Sequence, residues 1–274
     1  MARSQEEQEL SEHFANEYLR AQAPVMLDLE RAVCGCDYGG TSWTTRAEAE
    51  QIGGLLGLAK GRKLLEVGAG SGWPALFLAG RSGCDAILAD IPYEALRIAA
   101  DRVAKEPFDG EISLAVADGA FLPFKADLFD AISHSDVLCC LAPKRGVLDE
   151  CRRVIRRDGK MVFSVISIAS GLTSAAYARA VDCGPPCVEV EYEYPELLEK
   201  TGWEVTDRID VSAAYEDTGR RHNRELEARA VEMTELIGEA EFAELLAKRR
   251  KNVEAVADRI VRRDLFIAMP FVAD

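Results

Sequence analysis

Leu64-Leu65-Glu66-Val67-Gly68-Ala69-Gly70-Ser71-Gly72-Trp73-Pro74 opens as an apolar run, closes that run on an acid, and then places glycine at every second position. The run reads as a buried strand. The glycines after it read as a turn in which a ligand can approach the backbone, and the helix expected to follow offers its free N–H groups to that ligand. A nucleotide-like ligand suits such a turn. A tight strand-to-helix connection with no ligand has the same local sequence, so the turn alone does not decide function.

Working outward, short apolar runs alternate with helical patterns. Strands are predicted at 63–67, 86–89, 112–117, 129–133 and 160–166, with helices at 74–80, 93–105 and 144–156. This rhythm predicts an α/β fold with a Rossmann-like, doubly wound parallel sheet. Asp90 ends the second predicted strand and Asp118 the third. Both therefore fall on the carboxyl edge of the sheet beside the glycine turn, where folds of this type bind ligands, and a carboxylate at Asp90 can accept hydrogen bonds from a ribose diol. The connection at 118–128 is too short for more than a turn or a stunted helix.

The flanks are helical. Phe14, Tyr18, Val25, Leu29 and Val33 recur at about helical spacing, broken by Pro24, which predicts two successive helices. Thr45 followed by Glu48 predicts a capping-box start for a helix to about residue 58, so the loop CGCDYGGTSWT at 34–44 is held between helices. Later come a helix around Tyr177, a helix at 195–200, a strand at 203–211, a charged helical insert at 222–262 and a last strand from Asp264. The alternating segment Glu189-Val-Glu-Tyr-Glu-Tyr reads as an amphipathic edge strand, or as a pocket border suited to an amine cation. No low-complexity linker divides the 274 residues. They are expected to form one domain: a helical cap or lid at 1–58, a cofactor-binding core at 59–170, and a substrate-side region at 171–274.

Composition narrows the functional classes. Lys and Arg number 33 against 47 Asp and Glu, and the net charge of −14 disfavours nucleic acid and anionic membranes as partners. The start, MARSQEEQELSEHF, has acids where a secretory signal needs a basic patch. The longest charge-free stretch, 161–178, carries too many Ser, Thr and Gly residues for a membrane span. A cytoplasmic protein with reduced thiols is expected from eight cysteines in that context. Neither Cys34-x-Cys36 nor Cys139-Cys140 has zinc-site spacing, so no metal is expected.

Taken together, Glu66-Val-Gly-Ala-Gly-Ser-Gly, Ala89-Asp90-Ile91, Ala117-Asp118-Gly119 with Leu122-Pro123-Phe124, the strand from Phe129-Asp130-Ala131-Ile132, and DECRRVIRRDGKMVF resemble the class I S-adenosylmethionine-dependent methyltransferases. The resemblance is strong over about 40–170 and looser beyond. Within that family the chain looks most like small-molecule enzymes of the glycine/sarcosine and quinone-pathway type. The resemblance implies a seven-stranded sheet with an antiparallel final strand. It also implies S-adenosylmethionine as cofactor, S-adenosylhomocysteine as product, a small-molecule acceptor, and a monomer or homodimer. Of the cofactor residues it implies, Glu66 lies by the amino group, Gly68, Ala69, Gly70 and Gly72 under the methionine end, and Asp90 with Ile91 at the ribose. Asp118, Gly119 and Ala120 lie at the adenine, and Ser133 and Ser135 after the fourth strand. Tyr38, Trp43 and Thr44 would belong to a lid, and Trp43 would serve equally as a core anchor for its loop.

Methyl transfer is an in-line displacement, for which alignment and exclusion of water matter most. A hydroxyl acceptor gains from a base, and His134 is the histidine expected at the mouth of the site, either touching substrate or serving structure. The acceptor atom, N, O or S, is left open. Two other readings compete: a non-catalytic protein binding S-adenosylmethionine or S-adenosylhomocysteine, and an NAD(P)-dependent oxidoreductase. The latter needs a small third glycine-position residue, where this chain has Trp73.

Overall fold

The computed structural model describes residues 5–271. Seven strands form one sheet: β1 (Lys63–Val67), β2 (Asp85–Asp90), β3 (Ile112–Val116), β4 (Phe129–Ser135), β5 (Ile155–Ile168), β6 (Trp203–Asp210) and β7 (Val261–Pro270). Their spatial order is β3-β2-β1-β4-β5-β7-β6. The strands β1 to β5 pair in parallel, and β7 inserts antiparallel between β5 and β6. The fold is the Rossmann-like α/β sheet expected from the rhythm, with its final strand reversed.

The chain runs outward from β1 to β3, then returns to β4 on the other side of β1. The sheet therefore has its topological switch between β1 and β4, where the carboxyl ends of α/β strands leave a crevice. Register aligns that edge: Glu66 stands opposite Leu88 on one side and Ser133 on the other. The central strands are apolar because helices cover both faces. Leu64, Leu65, Ile132, Met161 and Phe163 are fully buried, each such side chain contributing about 1.5–3 kcal/mol by its removal from water.

Ahead of the sheet lie α1 (Gln5–Arg20), α2 (Pro24–Cys34) and α3 (Arg46–Leu56), and among the sheet connections are α4 (Ala75–Ser82), α5 (Tyr93–Val103) and α6 (Lys144–Val154). Pro24 takes the first turn of α2, where a missing N–H costs nothing. Thr45 caps α3 by accepting from the Glu48 N–H. The Glu48 carboxylate does not complete the box, because it pairs instead with Arg263 of β7 at 2.8 Å.

Three expectations change. The insert begins at Ser212, ten residues early, and comprises α9 (Ser212–Ala228), α10 (Ala230–Ile237) and α11 (Glu239–Ala257), which follow α7 (Ser174–Cys183) and α8 (Tyr194–Lys200). Asp210 ends β6 by accepting from the Ser212 N–H at 2.9 Å, which turns the chain into the helix. The last strand starts at Val261, inside the range read as insert. Finally, the Glu189–Glu193 segment is not a strand. The chain just ahead of it is tied to loops instead: the Cys187 N–H donates to the Cys139 carbonyl, and the Lys144 ammonium donates to the Cys187 carbonyl. Among the described residues, no helix is long and apolar enough to cross a membrane.

Candidate active site

The turn after β1 is held open by two close approaches. Gly68 sits at φ +68°, and a β-carbon there would stand 2.4 Å from a methyl of Val137. Gly70, at φ +53°, would place one 2.4 Å from the phenol oxygen of Tyr18 on α1. Only glycine meets both the left-handed backbone and the space. Asp90 at the end of β2 clamps the turn: its carboxylate accepts from the Gly70 N–H at 2.6 Å and the Ile91 N–H at 2.7 Å. Burial nevertheless outweighs these bonds and raises the Asp90 pKa to about 6.

Glu66 is more deeply placed. One of its oxygens accepts from the Ser133 hydroxyl, while the other is buried with no partner among the described residues. Burial pushes its pKa up to about 8. Two acids at the switch point are therefore ready to gain from a positively charged or hydrogen-bond-donating ligand.

A cavity of about 430 Å³ starts at this turn and is walled by Gly68, Ala69, Gly70, Asp90, Ile91 and Asp118. It continues past Trp43 to Tyr215, His222, Arg249 and Asn252 of the helical insert. The α1 helix supplies Tyr18, whose phenol oxygen accepts from the Thr41 hydroxyl at 3.3 Å. The α2 helix supplies Glu30, which shapes the glycine-rich loop by accepting from the N–H groups of Gly39 (2.7 Å) and Gly40 (3.3 Å). Between the two ends lies Asp136, a non-glycine residue at φ +56°. Its carboxylate is held by the Arg263 Nε at 2.9 and 3.1 Å. Arg263 also donates to Glu48, to the Ser164 hydroxyl (2.9 Å) and to the Thr44 hydroxyl (3.3 Å). Burial opposes the Arg263 charge, but Asp136 and Glu48 more than restore it.

Residues 65–163 match the family model described as "Methyltransferase domain". Residues 65–163 thus carry a methyltransferase domain. Among curated relatives, the methyltransferase GfsG of Streptomyces halstedii is 30% identical over 174 residues, 62% of this chain and 63% of that protein. The 27-O-demethylrifamycin SV methyltransferase of Amycolatopsis mediterranei is 28% identical over 173 residues, with the same coverage of 62% and 63%. The chain thus spans a little under two thirds of these relatives. Among solved structures, phosphoethanolamine N-methyltransferase 2 of Haemonchus contortus, in complex with phosphomonomethylethanolamine and S-adenosylhomocysteine, superposes with TM-score 0.77 at 17% identity, covering 94% of this chain and 60% of that one. The [4+2]-cyclase SpnF superposes with TM-score 0.70 at 18% identity over 93% and 94% of the two chains.

Most of the expected cofactor residues meet at one cavity: Gly68, Ala69, Gly70, Asp90, Ile91, Asp118, Gly119, Ser135 and Trp43 line it. Others stand behind the wall. Glu66 and Ser133 form the hydrogen-bonded pair below the turn. Gly72 is a packing position, where a β-carbon would strike Leu76. Ala120 donates its N–H to Asp118 at 2.9 Å, fixing that carboxylate from outside. Tyr38 turns to Trp73, ring centroids 5.1 Å apart, and under the Arg102 guanidinium at 3.9 Å. Thr44 is fully buried and accepts from the Trp73 indole N–H through its carbonyl. Trp73 is thereby a core residue at the place a dinucleotide fold keeps small.

His134 is not at the cavity mouth. Successive strand residues face opposite sides, so Ser135 reaches the cavity while His134 turns into the core and stacks on Phe163 at 4.4 Å. Its two nitrogens are buried without partners among the described residues, and burial lowers its pKa to about 3. His222, at the start of the range 222–262 read as a charged helical insert, lines the cavity, 5.4 Å from the Trp43 ring. Nothing in the local sequence around His222 marks it. Only the packing of α9 across the sheet brings it there.

The residues present fit the cofactor. The backbone of Gly68, Ala69 and Gly70 lines the cavity, the unpaired Glu66 oxygen just below that turn is an acceptor suited to an ammonium group, and the Asp90 carboxylate stands at the cavity edge where a diol would reach it. Among the described residues, no cluster of three or more His, Cys, Asp or Glu is placed to hold a metal ion.

Proposed function

We propose that the protein transfers the methyl group of S-adenosylmethionine to an oxygen atom of a small molecule, and that residues 1–58, 59–170 and 171–274 act as cap, cofactor core and substrate side of one catalytic unit. The observation that carries this reading is the single cavity running from the Gly68–Gly70 cradle to His222. When bound, the cofactor supplies an electrophilic methyl group on a sulfonium sulfur. Gly68, Ala69 and Gly70 support its methionine end, Glu66 draws its ammonium, Asp90 and Ile91 hold the ribose, and Asp118 with Gly119 receives the adenine. Tyr18, Trp43 and the helices α1 and α11 exclude water.

His222 is the group offered to the acceptor hydroxyl. Its Nδ1 is buried with no partner among the described residues. Burial, and then the Arg249 charge, lower its pKa to about 3, so it stays neutral and accepts a hydrogen bond throughout the working range. A base this weak suffices, because an oxygen becomes strongly acidic as its new bond to carbon forms. An oxygen acceptor also agrees with relatives named for it, the rifamycin enzyme above and the O-methyltransferase cnsE of Penicillium expansum. Relatives named as C-methyltransferases share a shorter stretch. A binding role without methyl transfer is the second reading, because the same glycine turn and Asp90 clamp would hold the nucleoside without turnover.

Calorimetric titration with S-adenosylmethionine, S-adenosylhomocysteine and NADH is the first test. Binding of the two sulfur nucleosides and not of NADH is expected, and Asp90→Ala should weaken it by about 1–3 kcal/mol, the cost of losing charge-assisted hydrogen bonds. Release of S-adenosylhomocysteine on incubation with phenols and alcohols then separates an enzyme from a binder. Failure of both nucleosides to bind would overturn the proposal.

A further inference from the structure

Arg249 lines the far end of the cavity, on α11, with its guanidinium 4.9 Å above the Trp43 ring. Its Nε is buried without a partner, and no ion pair or hydrogen bond engages it among the described residues. Its neighbours are differently placed: Arg250 pairs with Glu227 at 2.6 Å, and Arg20 bonds both Glu17 and Glu241. Acids outnumber bases 47 to 33 in this chain, so an unpaired arginine at a cavity wall is not a shortage of counter-ions. An arginine remains charged in protein interiors, and a half-buried charge without a partner gains from one that a ligand supplies.

The surrounding groups are committed elsewhere. Tyr215 donates to the Asn252 amide oxygen at 2.9 Å, and Asn252 donates in turn to the Cys183 carbonyl at 3.1 Å, so both make a fixed wall. Glu17 attracts Arg249 from α1 but is bonded by Arg20. Lys248 adds a second cation to the lining, and His222 faces the same space with an unpartnered Nδ1. Among the described residues, the acceptor end is therefore an aromatic slot with the unpaired Arg249 guanidinium, the Lys248 ammonium and a neutral imidazole. An arginine of this kind matches a carboxylate or phosphate through two parallel N–H donations.

We infer that the methyl acceptor carries an oxyanion, a carboxylate or a phosphate, which Arg249 holds over the Trp43 ring while a neighbouring hydroxyl meets His222. This rests on the methyl-transfer reading and specifies the acceptor class for the same cavity.

The protein saturated with S-adenosylhomocysteine is titrated with 2-hydroxybenzoate, phenyl phosphate and the neutral analogue 2-hydroxybenzamide. One of the two anions should bind at least about tenfold more tightly than the amide, the preference expected of a charge-assisted bidentate contact. The better anion identifies carboxylate or phosphate as the recognised group. Arg249→Met should abolish the preference while S-adenosylhomocysteine affinity stays within about twofold, and Arg249→Lys should restore part of it. Equal binding of amide and anions, or a preference that survives in Arg249→Met, overturns the inference. Loss of S-adenosylhomocysteine binding by the unaltered protein would instead sink the methyl-transfer reading. If Arg249→Met alone loses nucleoside affinity, Arg249→Gln is read in its place.

Discussion

Two buried residues of the sheet pull stability in opposite directions as pH changes, and the pull can be read. Glu66 has a folded pKa of about 8 against an ordinary 4.5. The folded chain thus keeps a proton that the unfolded chain has lost, and stability falls as pH rises through that window. Glu66→Gln removes the penalty. In the absence of cofactor it should be the more stable protein at pH 8 by on the order of 1–3 kcal/mol and lose that advantage near pH 5. Urea unfolding of both proteins at the two pH values checks this, and parallel curves would contradict it. His134 behaves inversely, with a folded pKa of about 3 against 6.5. Below 6.5 the unfolded chain takes up a proton that the folded chain refuses, so stability falls as pH falls. His134→Leu keeps the stack on Phe163 apolar and leaves no unpaired nitrogen. It should stabilise the protein by about 1–2 kcal/mol at pH 5 and leave turnover intact. A loss of turnover would return His134 to the site.

At the scale of elements, β7 does more than close the sheet. Through Arg263 it joins β5, α3, the loop before α3 and the residue that follows β4. Replacing Arg263 by Met leaves Asp136 and Glu48 as buried carboxylates without their cation, which should cost about 3–5 kcal/mol in denaturant unfolding. Adding Asp136→Asn and Glu48→Gln to that variant should recover a large part of the loss. Such links explain what the sequence could and could not disclose. The strands, the glycine turn and Asp90 were legible because alternation, turn chemistry and strand ends are local patterns. The Asp136 to Arg263 contact spans 127 residues and the Glu48 contact 215. No periodicity reaches so far, and Arg263 falls just ahead of the last strand as the sequence bounds it. His134 was misplaced for a related reason: its position along the chain was right, and the two-residue alternation of β4 turned it inward. His222 and Arg249 sat in helices whose charged sequence reads as a solvated surface until α9 and α11 fold over the cradle.

For the molecule as a whole, the net charge of −14 acts on any ligand before contact. It favours a cation, and S-adenosylmethionine carries one more positive charge than its product, because the sulfonium becomes a neutral thioether. The field of the surface acids should therefore hold the substrate form of the cofactor more firmly than the spent form. Asp90 at the cradle adds a local attraction of the same sign where it is ionised, above its folded pKa of about 6. The two contributions differ in their response to salt. Exposed charges are screened beyond about 10 Å at roughly 0.1 M salt, whereas buried ones are screened far less. Raising NaCl from about 20 mM to about 500 mM should weaken S-adenosylmethionine binding about two- to tenfold and S-adenosylhomocysteine binding by less. Calorimetry on both nucleosides across that range measures the difference. Equal losses would mean that salt acts on the protein and not on the sulfonium charge. A preference for the sulfonium that persists unchanged at high salt would place the discrimination in Asp90, and Asp90→Asn should then abolish it.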